Sequence, residues 1–94
     1  MAQRRLTAIA EGQVQGVGFR HLVSTVARQL GVQGWVANMP DGTVKIVAEA
    51  EEAMLESFLV RIQVRGCPAD VCSLRTSWSK PTGEFSGFEV RFAE

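Results

Sequence analysis

Apolar positions recur along this chain at two different periods, and the places where the period changes mark out its elements. From Leu6 to Val14 the pattern alternates, with Leu6, Ala8, Ala10 and Val14 on one side, which predicts a half-buried strand. The spacing then lengthens: Phe19, Leu22, Val23, Val26, Ala27 and Leu30 recur at helical intervals, and Gly31 supplies a stop. Gln33 to Asn38 and Thr43 to Ala50 read as two short strands, joined by Met39-Pro40-Asp41-Gly42, whose proline and glycine suit a tight hairpin. Glu49 to Glu52 is acidic and precedes Met54, Leu55, Phe58, Leu59 and Ile62, a second helical stripe with negative charge at its N-terminal end, finishing near Gly66. Cys72, Leu74, Thr76 and Trp78 share one face of a later strand, and Lys80-Pro81-Thr82-Gly83 turns the chain toward Phe88, Val90 and Phe92.

The order is βαββαβ with an extra C-terminal strand. Two helices that each bury one stripe, and strands that each show one apolar face, are satisfied together when both helices pack on one face of a mostly antiparallel sheet. The expected fold is α+β, a ferredoxin-like α/β sandwich, with both strand-helix-strand crossovers right-handed. Ile9 and Trp35 then fall on the sheet face away from the helices, as partial cover for that face. Such a fold hosts many activities, so function has to be read from a site.

The segment between the first strand and first helix is the richest in chemistry: Gly12-Gln13-Val14-Gln15-Gly16-Val17-Gly18-Phe19-Arg20. Glycines reach positive φ and let the backbone approach a ligand, so successive N–H groups can converge on one set of oxygens. The helix N-terminus adds further donors and partial positive charge, and a guanidinium offers paired donors matching two phosphate oxygens. The segment therefore reads as an anion cradle. Glycines 12, 16 and 18 could also serve only to shape a tight connection, Arg20 alone could be a solvated surface residue, and Asn38, ahead of Pro40-Asp41-Gly42, could bond its own turn.

Composition narrows the possibilities. The chain has 94 residues, enough for a single domain spanning 1–94, and 46% of them are hydrophobic, which argues against disorder. Ten basic residues balance ten acidic ones with no run of like charge, so no broad footprint for nucleic acid or an anionic membrane is expected, and any anion site must be local. The first residues, Met1 to Leu6, hold two arginines and no apolar run suited to a signal peptide or a membrane span, so a cytoplasmic protein is expected. The two cysteines, Cys67 and Cys72, are too few for a disulfide scaffold or a zinc site and are expected to be reduced, although a local bridge across Pro68 is geometrically conceivable. The one histidine, His21, has no clustered carboxylates around it in sequence, and adjacent helical residues diverge by about 100°, which turns it away from Arg20. No metal or other cofactor is expected.

Four ordered segments carry a more specific signal. The motif from Gly12 to Arg20, then Gly34-Trp35-Val36-Ala37-Asn38, the Asp41-Gly42 turn, and the closing Gly83-Glu84-Phe85-Ser86-Gly87-Phe88 together resemble acylphosphatases in order and spacing, from about Leu6 to Phe92. The resemblance implies hydrolysis of carboxylic-phosphoric anhydrides to a carboxylate and inorganic phosphate. It implies that Arg20 binds the phosphate, that Asn38 orders the attacking water, and that the loop of Gln15, Gly16, Val17, Gly18 and Phe19 supplies backbone donors. The implied partners are a small acyl phosphate and inorganic phosphate as product; nothing in the pattern demands a protein partner, so a monomer is expected, and the balanced charge predicts neither nucleic acid nor membrane. The chain departs from the family pattern at Ala37, where a charged or polar residue often precedes the asparagine, and in the less regular Gly66-Cys67-Pro68 region. Two other readings share the fold: a phosphate or carbamoyl-phosphate binding module of the kind found at the start of larger hydrogenase-maturation proteins, and an RNA-binding domain, which needs exposed aromatics and a basic surface.

Overall fold

The computed structural model of the chain describes residues 2–12, 18–67 and 72–91. Its elements run β1 (Gln3–Gly12), α1 (Phe19–Leu30), β2 (Gln33–Asn38), β3 (Val44–Glu51), α2 (Glu52–Gly66), β4 (Cys72–Ser79) and β5 (Phe88–Arg91). The expected βαββαβ order with an extra strand is present, and the two helices and five-stranded mixed sheet give the ferredoxin-like α+β fold. β1 begins three residues earlier than the alternation predicted, and Val14 and Phe92 lie outside the described residues.

The sheet order is β4-β1-β3-β2-β5. Three pairings are antiparallel, and only β5 joins its neighbour β2 in parallel. One face carries the core: Leu6, Ala8 and Ala10 of β1, Val36 of β2 and Val44, Ile46 and Ala48 of β3 are buried with Phe19, Val23, Val26 and Ala27 of α1 and Leu55, Phe58 and Ile62 of α2. These are the stripes that the two periods marked. Phe88 closes the core at the β5 edge, its ring 6.2 Å from that of Phe58, and Trp78 packs partly buried against the β4 side.

The connection from β4 to β5 is more than a turn. β4 and β5 stand at opposite edges, so residues 80–87 must cross the sheet, and the crossing uses the face that the helices leave open. Glu49 fastens it. Its buried carboxylate accepts from the backbone N–H of Thr82 at 2.8 Å and of Gly83 at 3.0 Å and pairs with Arg5 Nε at 2.7 Å. Arg5 also pairs with Glu84 and lies over the ring of Phe85. At the far side the N–H of Gly34 donates to the carbonyl of Gly87 at 2.9 Å. The sequence pattern placed Glu49 both in the strand Thr43 to Ala50 and in the acidic lead-in of α2; β3 runs through it to Glu51, and its side chain turns onto the open face.

Gly34 shows why one position tolerates no side chain. Its φ is 143°, and a Cβ there would stand 1.9 Å from the carbonyl oxygen of Val47.

Candidate active site

Strand direction decides where the chemistry gathers. β1, β2 and β5 all end on one rim of the sheet, and β3 and β4 begin there. The same rim therefore collects Gly12, the start of α1, Asn38 with the turn that follows it, and Arg91. Helix α1 starts at Phe19 behind Gly18, which has φ 81° in the left-handed region. That conformation favours glycine at the position just before the helix. Among the described residues no side chain caps the helix and no acid stands in its first turn, which leaves its N-terminal N–H groups suited to an anion.

Arg20 lies in that first turn, and its Nη1 donates to the carbonyl oxygen of Arg91 at 3.1 Å. Arg91 is the register partner of Ala37 in the parallel β2–β5 pair. The guanidinium is thus held beside the last residues of β2, where Asn38 stands. One turn pair further on, Arg28 Nη2 donates to the carbonyl of Phe88 at 3.2 Å, so two arginines of α1 satisfy carbonyls of an edge strand.

Asn38 closes β2 on the helix side of the sheet, following Val36 in the alternation. Its side-chain Oδ1 is buried and has no hydrogen-bond partner among the described residues. Buried polar atoms are nearly always paired, and an unpaired one costs about 1–3 kcal/mol. Asn38 does not bond its own turn through that atom. The turn is held by other groups: Asp41 Oδ1 accepts from the Thr43 N–H at 3.0 Å and from its hydroxyl at 2.7 Å, and the Met39 N–H donates to the Thr43 carbonyl at 2.8 Å. The hydroxyl of Thr43 and then its N–H hold the Asp41 carboxyl below its ordinary range.

The structure brings Gly18, Phe19, Arg20 and Asn38 to one rim, while Gln15, Gly16 and Val17 fall outside the described residues. His21 is exposed, and its backbone carbonyl accepts from the hydroxyl of Thr25. Ala37 is buried on the opposite face from Asn38, between its register partners Lys45 and Arg91, whose cationic groups lie 5.9 and 5.1 Å from the ring of Trp35. Among the described residues no group of three or more His, Cys, Asp or Glu side chains is placed to hold a metal ion, and no helix is long and apolar enough to cross a membrane.

The cysteines require a correction. Cys67 and Cys72, expected to be reduced, are joined as a disulfide. α2 ends and β4 begins so close together that their Cα atoms are 5.0 Å apart, inside the range a bridge needs.

The acylphosphatase family model matches residues 6–90. The chain belongs to the acylphosphatase family. It is 43% identical to an acylphosphatase of Pelotomaculum thermopropionicum over 98% of this chain and all of that one. The crystal structure of acylphosphatase from Bacillus subtilis superposes with a TM-score of 0.84 at 32% identity, covering 94% of this chain and 98% of that one. The structure of HypF from T. kodakarensis contains a similar unit, with a TM-score of 0.81 at 25% identity, covering 97% of this chain but 12% of that much longer one. As a family member of nearly full matching length, this acylphosphatase hydrolyses acyl phosphates to a carboxylate and inorganic phosphate.

Proposed function

We propose that Arg20 and the backbone donors of the loop from Gln15 to Phe19 hold the phosphoryl group, and that Asn38 positions the water that attacks it. The observation that carries this reading is the buried, unpartnered Oδ1 of Asn38 on the same rim as Arg20. Its carboxamide accepts a hydrogen bond from a water through that oxygen and donates one through its nitrogen, but is no base at neutral pH.

Those sparse groups suffice for the reaction. Water oxygen forms a bond to phosphorus as the bond from phosphorus to the acyl oxygen breaks, and the electron pair leaves with a carboxylate that is stable as an anion. No general acid is needed for departure. The transition state is loose, with negative charge spread over the phosphoryl oxygens, and the guanidinium and N–H groups stabilise that charge. The proton of the attacking water passes to a phosphoryl oxygen of the substrate, so the products are carboxylate and inorganic phosphate. Neither Arg20 nor Asn38 changes protonation state.

Hydrolysis of benzoyl phosphate in heavy-oxygen water tests the site of attack. The label is expected in phosphate; label in benzoate would place attack at the carbonyl carbon and leave Asn38 in the wrong role. The reading also takes the protein as a single domain acting as a cytoplasmic monomer that engages neither nucleic acid nor membrane, and the balanced charge supports the last point.

A further inference from the structure

We propose that the Cys67–Cys72 disulfide is a positioning element of the phosphate site, so that opening it weakens phosphate binding without removing turnover. This rests on the reading that Arg20 holds the phosphate. The bridge lies on the same rim as the site, neighbouring β1 through Cys72 and α1 through Gly66, the residue before Cys67. Cys72 is the first residue of β4 and the register partner of Gly12, the last residue of β1. Cys67 directly follows α2, anchored by its N–H to the carbonyl of Gln63 at 3.1 Å. Gly66, just before it, lies so close to the first turn of α1 that a Cβ there would stand 2.5 Å from Phe19 Cδ1 and 2.7 Å from Leu22 Cδ2.

A continuous chain of contacts follows from these pairs. It runs from Gly12 across the ladder to Cys72, through the sulfur–sulfur bond to Cys67, and by way of Gly66 to Phe19, whose neighbour is Arg20. Both cysteines are buried members of the core, so the bridge is packed in place. With the bond open, the end of α2 and the start of β4 are no longer covalently coupled at this point. The seat of Phe19 on Gly66 is then free to shift relative to Gly12. A shift there moves Arg20 against the loop donors, which lowers affinity for phosphate, while Asn38 on β2 is not part of the chain of contacts.

The redox step is ordinary thiol exchange. Forming the bond removes two electrons and two protons from the two thiols. A low-molecular-weight thiol such as glutathione reverses it: one thiolate attacks a sulfur of the bridge to give a mixed disulfide, a second releases the protein thiol, and two protein thiols and one oxidised small thiol result. In a reducing compartment such a bond is transient and responsive, so phosphate affinity would follow the thiol balance.

The test uses the full chain, bridged with oxidised glutathione or opened with dithiothreitol, its thiols counted by alkylation and mass, alongside the Cys67→Ala/Cys72→Ala variant. KM and kcat for benzoyl phosphate, the inhibition constant of inorganic phosphate, and circular dichroism are measured on each. Reduction is expected to raise KM and the phosphate inhibition constant together by about 3- to 10-fold, with kcat changed by less than about two-fold, the scale of coupling through packed neighbours. The variant should match the reduced protein and ignore the reductant. Unchanged constants, thiols that stay unpaired under oxidised glutathione, or a variant that still responds to reductant would overturn the proposal. Loss of folded circular dichroism on reduction would overturn it too, because the bridge would then serve stability alone. Absence of phosphate inhibition in both states would instead refute the underlying assignment of the phosphate site.

Discussion

In the proposed mechanism Arg20 holds charge and Asn38 places water, and each has a replacement that isolates its part. Arg20→Lys keeps the charge and loses the planar fork, so phosphate binding is expected to weaken about tenfold or more, read as the inhibition constant of inorganic phosphate. Asn38→Asp keeps the shape but sets a carboxylate beside the phosphoryl dianion. It should raise KM and lower kcat together, a pattern that steady-state kinetics with benzoyl phosphate resolves. Both residues stood out in the sequence because each sits in a motif of fixed spacing, and the structure places them on one rim. The partner of Arg20 was not: the Arg91 carbonyl is a backbone group, and every residue has one. Gly34 could be found as a motif residue, yet the reason for it, a Cβ colliding with the Val47 carbonyl, needed the register of two strands.

The strap of residues 80–87 is the element whose behaviour the structure changes most. Burial pushes the Glu49 carboxyl up, but the Thr82 N–H, the Arg5 guanidinium and the Gly83 N–H together outweigh that and hold it below the ordinary carboxylate value. A carboxylate with a depressed folded pKa contributes stability above its unfolded value, roughly pH 4.3, and that contribution disappears as pH falls through the folded value. Thermal melts of the parent should therefore lose ground below about pH 4.3, and those of Glu49→Gln should lose less. At neutral pH, Glu49→Ala removes one of the two carboxylates that pair with Arg5 and leaves the N–H groups of Thr82 and Gly83 without their acceptor, and a loss of about 2–4 kcal/mol in denaturant unfolding is expected. Glycine positions supply a contrast. Gly34→Ala should cost about 3 kcal/mol or more from collision with backbone. Gly42→Ala, at φ 91° with open space around it, should cost only about 1–2 kcal/mol. The helices and the β2–β3 hairpin were legible because one apolar period filled each. The strap was not, since crossing between opposite sheet edges is a property of strand order and leaves no periodic mark.

At the scale of the whole molecule, a parallel β2–β5 pair and the common direction of β1 bring Gly12, Arg20 and Asn38 to one rim. The fold class followed from the sequence of periods, but which strand lies at which edge did not. A radius of gyration of 12.1 Å matches the roughly 12 Å expected of a compact chain of this length. Val60 and Val64 are exposed on α2, so sedimentation is the decisive check on the monomer: a single species of monomer mass is expected, and a dimer would redirect attention to that helix. The disulfide was conceivable from the sequence only as local geometry, because the pairing of Cys72 with Gly12 depends on strands far apart in the chain. The most direct test of the account is the split between binding and turnover in Arg20→Ala and Asn38→Ala, measured as kcat for benzoyl phosphate and inhibition by inorganic phosphate in folded protein. Arg20→Ala is expected to lose phosphate inhibition and about 10²-fold or more in kcat/KM, whereas Asn38→Ala keeps parental phosphate inhibition and loses turnover. An Asn38→Ala protein that turns over as fast as the parent, or an Arg20→Ala protein inhibited by phosphate as before, would contradict it.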